Sequence, residues 1–596
     1  MLDYQAPLRD MQFILEELAG LEQIGELPGC EDASPDLVNA VLEEAGKFAA
    51  GVLAPLNPVG DQQGCRLEGE RVVAPEGWQA AYDQFRESGW IGLSLPPEHG
   101  GQGLPKLVST PVWEMWFSAN MAFAMLPQLN VGQTEALTIA ASEEQKATWL
   151  DKIVSGEWAA TMNLTEPQAG SDLAATRMRA EPEGEGDGAY RLYGQKIFIS
   201  YGEHELTPNI VHLVLARLPD APPGVKGLSL FLVPKYHLNT DGSLGAKNDI
   251  RCISIEHKMG IHGSPTCTLS YGDDGGALGY LVGEPHQGLA TMFVMMNDAR
   301  FSVGVQGVAL GERAYQAALA YARERVQGRD IVSGESGRPI LVHPDVKRML
   351  VSMRARLMAM RGLLYSAAGW FDIARHHPDA EVADKHRRYV DLLMPVAKGW
   401  CTEVGNDLCD EAIQVFGGMG FVEETGVAQL FRDARVITIY EGTTGIQAND
   451  LLGRKILRED GATLRELIGD IRETAVRLRA HERLGNLAGA LDDQATLLDE
   501  SVDWLLAHQA DTAVLFAGAV PLLHLLGTAC GAWQMARLAL AAEARHEQRE
   551  GDAEYLLSLI ELARFYLATQ APHAHAHGHT LRHAGAVLSH FPEQGF

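Results

Sequence analysis

One carboxylate stands apart in this chain because of what surrounds it. In Tyr440-Glu441-Gly442-Thr443-Thr444-Gly445, Glu441 sits in a glycine-flanked turn directly after the apolar Val436-Ile437-Thr438-Ile439. A carboxylate at the mouth of an apolar pocket is partly desolvated, so its pKa rises and it becomes a stronger base. Such a base suits removal of a weakly acidic proton beside a carbonyl. The same residues also fit a solvated carboxylate near a helix N-terminus, where the dipole favours negative charge. The segment alone leaves both readings open.

Other stretches carry weaker chemistry. Leu164-Thr165-Glu166-Pro167-Gln168-Ala169-Gly170-Ser171-Asp172 offers backbone N–H groups and hydroxyls, with glycine permitting close approach to an anionic or planar ligand. Gln414-Val415-Phe416-Gly417-Gly418-Met419-Gly420 contains a Gly-Gly-x-Gly, by itself weak evidence for phosphate binding. Near the C-terminus His573, His575, His577 and His579 alternate with small residues. Alternating His in a flexible stretch fixes no ligand geometry, so a solvated or packed tail and no metal site are expected.

The elements that must position these residues change texture along the chain. Residues 1 to about 160 read as mostly helical, with a helix start at Ser34-Pro35-Asp36 and apolar positions at helical spacing after it. From about 161 to 285, short β-branched and apolar runs separated by Gly, Pro, Asn and Asp predict a compact β domain. Long helical patterns resume near 288, including Val303 to Arg325 and Val346 to Ala374, and Arg458-Glu459-Asp460-Gly461 reads as a joint before a Leu/Ala-rich helical remainder. The apolar run Ala513 to Cys530 contains Pro521 and His524 and reads as a buried helix pair rather than a membrane span.

The 596 residues are enough for roughly three or four domains. A formal net charge of -29 argues against nucleic-acid binding, because a polyanion would be repelled over most of the surface. The seven cysteines lie far apart without CxxC or zinc spacing, which fits free thiols in a reducing compartment. The opening residues Met1 to Pro7 lack the features of a secretory or transit segment. A cytoplasmic protein is expected.

Taken in order, these motifs resemble those of the acyl-CoA dehydrogenase family of flavoproteins, over roughly residues 35 to 455. Besides the Leu164–Asp172 loop, Phe198-Ile199-Ser200-Tyr201-Gly202 resembles the family's aromatic-Ile-Thr/Ser-Asn-Gly strand. Lys258 to Thr266 resembles a further β-domain signature. Asn297-Asp298-Ala299-Arg300 resembles the substrate-lining part of a long helix, and Arg325-Val326-Gln327-Gly328 that helix's end, before an insertion-like stretch Arg329 to Leu341. The Gly417-Gly418 loop and Arg432-Asp433-Ala434-Arg435 to Thr443 complete the set.

The resemblance implies an α+β fold: an N-terminal extension (1–35), an N-terminal helical domain (36–160), a central β-barrel-like domain (161–285), a C-terminal four-helix bundle (286–455) and a further helical extension (456–596). It implies FAD as cofactor, contacted by Met162, Leu164, Thr165, Gly170, Ser171, Phe198, Ser200, Thr443 and Gly445. Arg325, Gln327, Gln414, Gly417 and Gly418 would reach FAD of a neighbouring subunit, Arg325 gripping pyrophosphate. Ser171, Asn297, Asp298, Arg300 and Gly442 would line the substrate, and Glu441 would be the catalytic base. Some relatives place the base just before the substrate-lining Arg; here that residue is Ala299, which cannot serve.

The activity so implied is α,β-dehydrogenation of an acyl-CoA thioester to a trans-2-enoyl-CoA in fatty-acid β-oxidation, on medium to long chains. Electron-transfer flavoprotein is the expected acceptor and a homodimer the expected assembly, with weak peripheral membrane contact through the C-terminal extension. The N-terminal segment and tail resemble a large bacterial subgroup that also includes 3-methylthiopropionyl-CoA dehydrogenases, which is the alternative. An acyl-CoA oxidase and a non-catalytic acyl-CoA-binding scaffold share the fold and are further rivals.

Overall fold

The computed structural model describes residues 3–184 and 188–595. Two compact units divide the chain: Lys47–Leu104 with Ala119–Ala299, and Met1–Gly46 with Pro105–Ser118 and Arg300–Phe596.

The first unit is built around the strand Ala189–Ser200. Its first half pairs with Arg179–Pro182 and Ala277–Val282, both meeting at Leu192, while its second half pairs with Thr266–Tyr271. Gly194 lies at the changeover with φ +143°, where an added Cβ would sit 3.2 Å from the Met178 backbone. Following the pairs through Ala277–Val282, Leu228–Pro234, Asn209–Arg217 and Arg179–Pro182 leads back to Ala189–Ser200. The ring of strands therefore closes, as the expected β-barrel-like domain requires. Trp158–Asn163 adds in parallel beside Asn209–Arg217, and Ile250–Ile255 beside Thr266–Tyr271.

Asn209–Arg217 and Leu228–Pro234 are buried almost throughout, because both their faces are covered. Leu213, Leu215, Leu230 and Leu232 pack one way, with Trp149, Leu150 and Met292. Val214, Ala216, Phe231 and Val233 pack the other way, with Leu192, Ile199 and Leu269, in the alternation a pleated strand imposes. A short hairpin, Arg66–Glu68 with Arg71–Val73, interrupts the N-terminal region expected to be mostly helical. Its Gly69 (φ +68°) makes the tight turn, but three-residue strands leave no readable periodicity.

The second unit is helical. Pro344–His376 and Ala380–Phe416 form an antiparallel pair, and Ala519–Gln548 packs against both. Small residues make that approach close. A Cβ on Gly527 would fall 2.2 Å from the Trp400 ring, and one on Gly399 2.7 Å from Leu523. The apolar run at 513–530 resolves into two helices, Thr512–Ala517 and Ala519–Gln548, and among the described residues no helix is long and apolar enough to cross a membrane. The His-rich stretch takes the packed arrangement of the two expected for it, within the helical remainder: it forms the helix His573–Leu588, seated by Ala574, Gly578, Leu581 and Gly585 at i, i+3 and i+4 spacing.

Arg545 bonds Glu16 and Glu17, and Arg537 donates to the Leu18 carbonyl, so the two ends of the chain share this unit. At its centre Arg361, fully buried, grips Glu114 (Nη2–Oε1 2.5 Å) and Glu312 (2.9 Å), and Tyr365 donates to Glu114 at 2.6 Å. Replacing only one member leaves buried charge uncompensated. Arg361→Met is expected to lower unfolding stability by about 3–5 kcal/mol, read as a shift in the guanidinium midpoint of the helical unit's far-UV signal.

Candidate active site

In the helical unit, the segment carrying Glu441 is a tightened 3₁₀ turn, Arg435–Thr438, followed by an open turn and the helix Thr444–Asp450. Several bonds tie it down. Asn406 donates to the Ala434 carbonyl at 2.9 Å, and Thr444 donates to Glu403; both acceptor and donor side chains come from Ala380–Phe416. Tyr440 donates its hydroxyl to Gln306 of the Gly288–Glu324 helix. Gln447 donates to the Glu441 carbonyl at 3.1 Å. A side chain at Gly442 (φ +89°) would put its Cβ 2.8 Å from that Gln447 nitrogen, so only glycine allows this bond. Thr443 caps the following helix, its Oγ1 accepting from Ile446 N at 3.4 Å.

Glu441 itself has φ +55°. A non-glycine residue there costs about 1–2 kcal/mol and persists only where surrounding bonds over-determine it. The side chain is half-buried, and no described residue hydrogen-bonds its carboxylate. Burial pushes its pKa up, while Arg300 and Lys398 pull it back down. Arg300 is buried and lies 3.9 Å from Asp450. The result is a partly desolvated carboxylate, held by the bonds that fasten its turn rather than by hydrogen bonds of its own to any described residue.

Also in this unit, Arg325 and Gln327 lie exposed at the end of the Gly288–Glu324 helix, their carbonyls accepting from Ile340 N (2.7 Å) and His343 Nε2 (2.9 Å). Stacking of Tyr321 on Phe416, with centroids 4.2 Å apart, brings that helix end beside Gln414, Gly417 and Gly418. A Cβ on Gly417 or Gly418 would meet nothing within 4 Å, and Phe421 stands 92% exposed. This is a bare, backbone-rich surface with an adjacent guanidinium, and it fits a nucleotide's phosphates. Gly445 is half-exposed at the start of its helix.

The β unit carries the remaining predicted contacts. Phe198 is 59% exposed with φ +59°, an aromatic ring held out on strained backbone. Tyr201, where the family pattern has Asn, also takes a left-handed φ of +50° and is anchored through its buried hydroxyl to the Ala122 carbonyl at 2.7 Å. Ser200 is half-buried beside them. The loop before this strand is fastened to it: Ile197 N donates to the Thr165 carbonyl at 2.9 Å, and Lys196 donates to the Leu164 carbonyl and to Glu166, each at 2.9 Å. Gln168 folds back onto Glu166 at 2.6 Å, closing the loop without the usual glycine. Gly170 and Ser171 remain exposed, Met162 is half-buried, and Leu164 points into the core, leaving its backbone alone for a ligand. Asn297 is exposed and Asp298 buried near the end of this unit's chain.

An exposed aromatic platform on a strained strand, next to a loop of free hydroxyl and N–H groups, fits the flat ring of a flavin. The residues present therefore fit FAD. Two features escaped sequence reading: the Glu166–Lys196 pair under the loop, and Lys398 beside Glu441. The signal for the second was a lone lysine inside the apolar run Leu392 to Cys401. Burial lowers Lys196 to about 8, against the pull of Glu166. Glu166 is drawn below its usual range by Lys196 and by the Arg177 and Met178 N–H groups, which outweigh burial. Lys196→Met should strip that compensation, unfasten the loop and cut FAD retention after gel filtration several-fold, read as the 450 to 280 nm absorbance ratio; wild-type retention would show that the pair does not hold the loop.

Sequence profiles of the acyl-CoA dehydrogenase N-terminal, middle and C-terminal domains match residues 38–157, 161–273 and 286–456, and an acetyl-CoA dehydrogenase C-terminal-like profile matches 467–592. The chain is 47% identical over 568 residues to 3-methylmercaptopropionyl-CoA dehydrogenase of Ruegeria pomeroyi, covering 95% of each protein. It is 34% identical over 564 residues to the broad-specificity linear acyl-CoA dehydrogenase FadE5 of Mycobacterium tuberculosis, covering 91% of each. Its fold is similar to that of an acyl-CoA dehydrogenase from Bacillus anthracis crystallised with FAD, with a TM-score of 0.73 at 23% identity over 96% of this chain and 92% of that one. With the four profiles matched in order and a relative 47% identical along nearly the whole of both chains, the chain belongs to the acyl-CoA dehydrogenase family and is an FAD-dependent oxidoreductase.

Proposed function

We propose that this enzyme introduces an α,β double bond into a short acyl-CoA thioester of the 3-methylmercaptopropionyl-CoA class, with Glu441 as the base. The observation that carries the chemistry is the Glu441 carboxylate, half-buried, without a hydrogen bond to any described residue and fixed by a left-handed turn. FAD, when bound, supplies the acceptor for the β-hydride. Glu441 takes the α-proton on a carboxylate oxygen; Arg300 and Lys398 favour its ionised form before that transfer. Thr443 and Gln447 keep the turn from relaxing as the proton arrives.

The substrate class rests on the 47% identity to the Ruegeria enzyme across nearly the whole of both chains. In that substrate a sulfur follows the β-carbon, so its lone pair conjugates with the new double bond and the thioester. The medium- to long-chain fatty acyl-CoA expected from the motifs becomes the second reading, supported by the 34% identity to the linear-acyl enzyme. We further propose electron-transfer flavoprotein as acceptor, and a homodimer in which the exposed Arg325, Gln414 and Gly417-Gly418 surface meets a second copy. The seven free cysteines and the acidic charge support the cytoplasmic reading.

Anaerobic mixing with 3-methylmercaptopropionyl-, butyryl-, octanoyl- and palmitoyl-CoA, followed by flavin bleaching at 450 nm, tests the assignment. Bleaching fastest with the thioether substrate is expected. Faster bleaching by octanoyl- or palmitoyl-CoA would favour the second reading, and bleaching by none would overturn both. Glu441→Gln should keep its FAD and lose turnover by about 10²- to 10⁴-fold. Because the ionised form is the active one and burial raises its pKa, kcat/KM should climb as pH rises through that elevated value and be lost on the acid side. An activity flat down to pH 4 would contradict a desolvated base.

A further inference from the structure

Lys398 lies within Ala380–Phe416, three residues after Pro395, which the helix accommodates, and in a run that is otherwise apolar. It is fully buried, and its ammonium forms no hydrogen bond or ion pair with any described residue. Leaving a cation so is costly unless nearby charge compensates it. Glu403 on its own helix and Glu441 on the turn supply that charge, and Arg300 on Gly288–Glu324 opposes it. Around these three, Tyr440 of the turn bonds Gln306, Asp450 of Thr444–Asp450 lies beside Arg300, and His524 of Ala519–Gln548 feels Glu403. Most of these are already engaged. Thr444 donates to Glu403, Tyr440 to Gln306, and Asp450 lies against Arg300 (3.9 Å) and Arg454 (3.4 Å). In this cluster the Glu441 carboxylate and the Lys398 ammonium are left as complementary charges without hydrogen bonds of their own.

We propose that Lys398 is a positioning residue for the base: its ammonium holds Glu441 as a carboxylate inside a pocket that otherwise favours the neutral acid. This rests on Glu441 being the base. Burial lowers Lys398 to about 8, with Glu441 and Glu403 pulling it upward and Arg300 downward, so it remains mostly charged at neutral pH. The sign follows directly. A cation next to a carboxylate lowers the pH at which the base ionises, so removing it moves the acid limb of the rate profile to higher pH.

The test is kcat/KM against pH for the FAD-loaded wild type, Lys398→Met, Lys398→Gln and Lys398→Arg, using whichever acyl-CoA bleaches the wild-type flavin fastest. Met and Gln should shift the acid limb upward by about one unit or more, a roughly tenfold extra loss on the acid side, with little change on the alkaline plateau. Arg should keep the wild-type limb. A wild-type limb in both Met and Gln variants, with FAD bound and thermal unfolding unchanged, would overturn the proposal. If both variants lose FAD, difference infrared spectra of wild type against Glu441→Gln decide. A carboxylate band at neutral pH supports the proposal and a protonated-acid band overturns it. Wild-type activity in Glu441→Gln would instead sink the base assignment itself, which separates the two failures.

Discussion

Taking a carboxylate out of water makes it a better base and, by the same cost, pushes it towards the protonated form in which it is no base at all. That conflict governs the Glu441 site. The turn denies the carboxylate any hydrogen bond that would lower its basicity, while two cations on different helices, Arg300 and Lys398, oppose the effect of burial. Charge acting without a direct bond leaves the lone pairs available for a proton.

The rest of the helical unit keeps that arrangement from relaxing. A left-handed glutamate is unstable alone, and it is held because Gln447, Thr444, Tyr440 and Asn406 each fasten part of the segment to a neighbouring helix. Those helices are in turn fixed by close small-residue packing, with Gly527 against Trp400 and Gly399 against Leu523, and by the buried Arg361–Glu114–Glu312 network. The C-terminal extension therefore belongs to the packing that supports the helix bearing Lys398. In the β unit the same economy recurs: a buried ion pair, Glu166–Lys196, secures the loop that leaves Gly170 and Ser171 open.

Much of this was legible in the sequence because the signals are local. The Glu441-Gly442 turn, the order of helical, β and helical texture, and the joint at Asp460-Gly461, where both residues take positive φ, follow from residue type and spacing. The resemblance of ordered motifs then assigned the turn a partner set. What could not be read depends on tertiary approach. Lys398 is an ordinary helix lysine until tertiary packing buries it, and Lys196 is one strand residue until Glu166 folds under its loop. The surface that seats the His573–Leu588 helix was not legible, because alternation of His and Ala carries no apolar face until Leu497, Val514 and Gly518 supply one. Pocket depth, which selects among acyl chains, is likewise set by packing, so the proposed thioether substrate leans on a relative's identity.

The central claim is that Glu441 moves the α-proton. It is tested most directly by exchange of the substrate α-hydrogens with deuterated water, followed by proton NMR under anaerobic conditions with no electron acceptor present. The account predicts exchange on the wild-type enzyme that disappears in FAD-loaded Glu441→Gln. Exchange at the wild-type rate in that variant would contradict it.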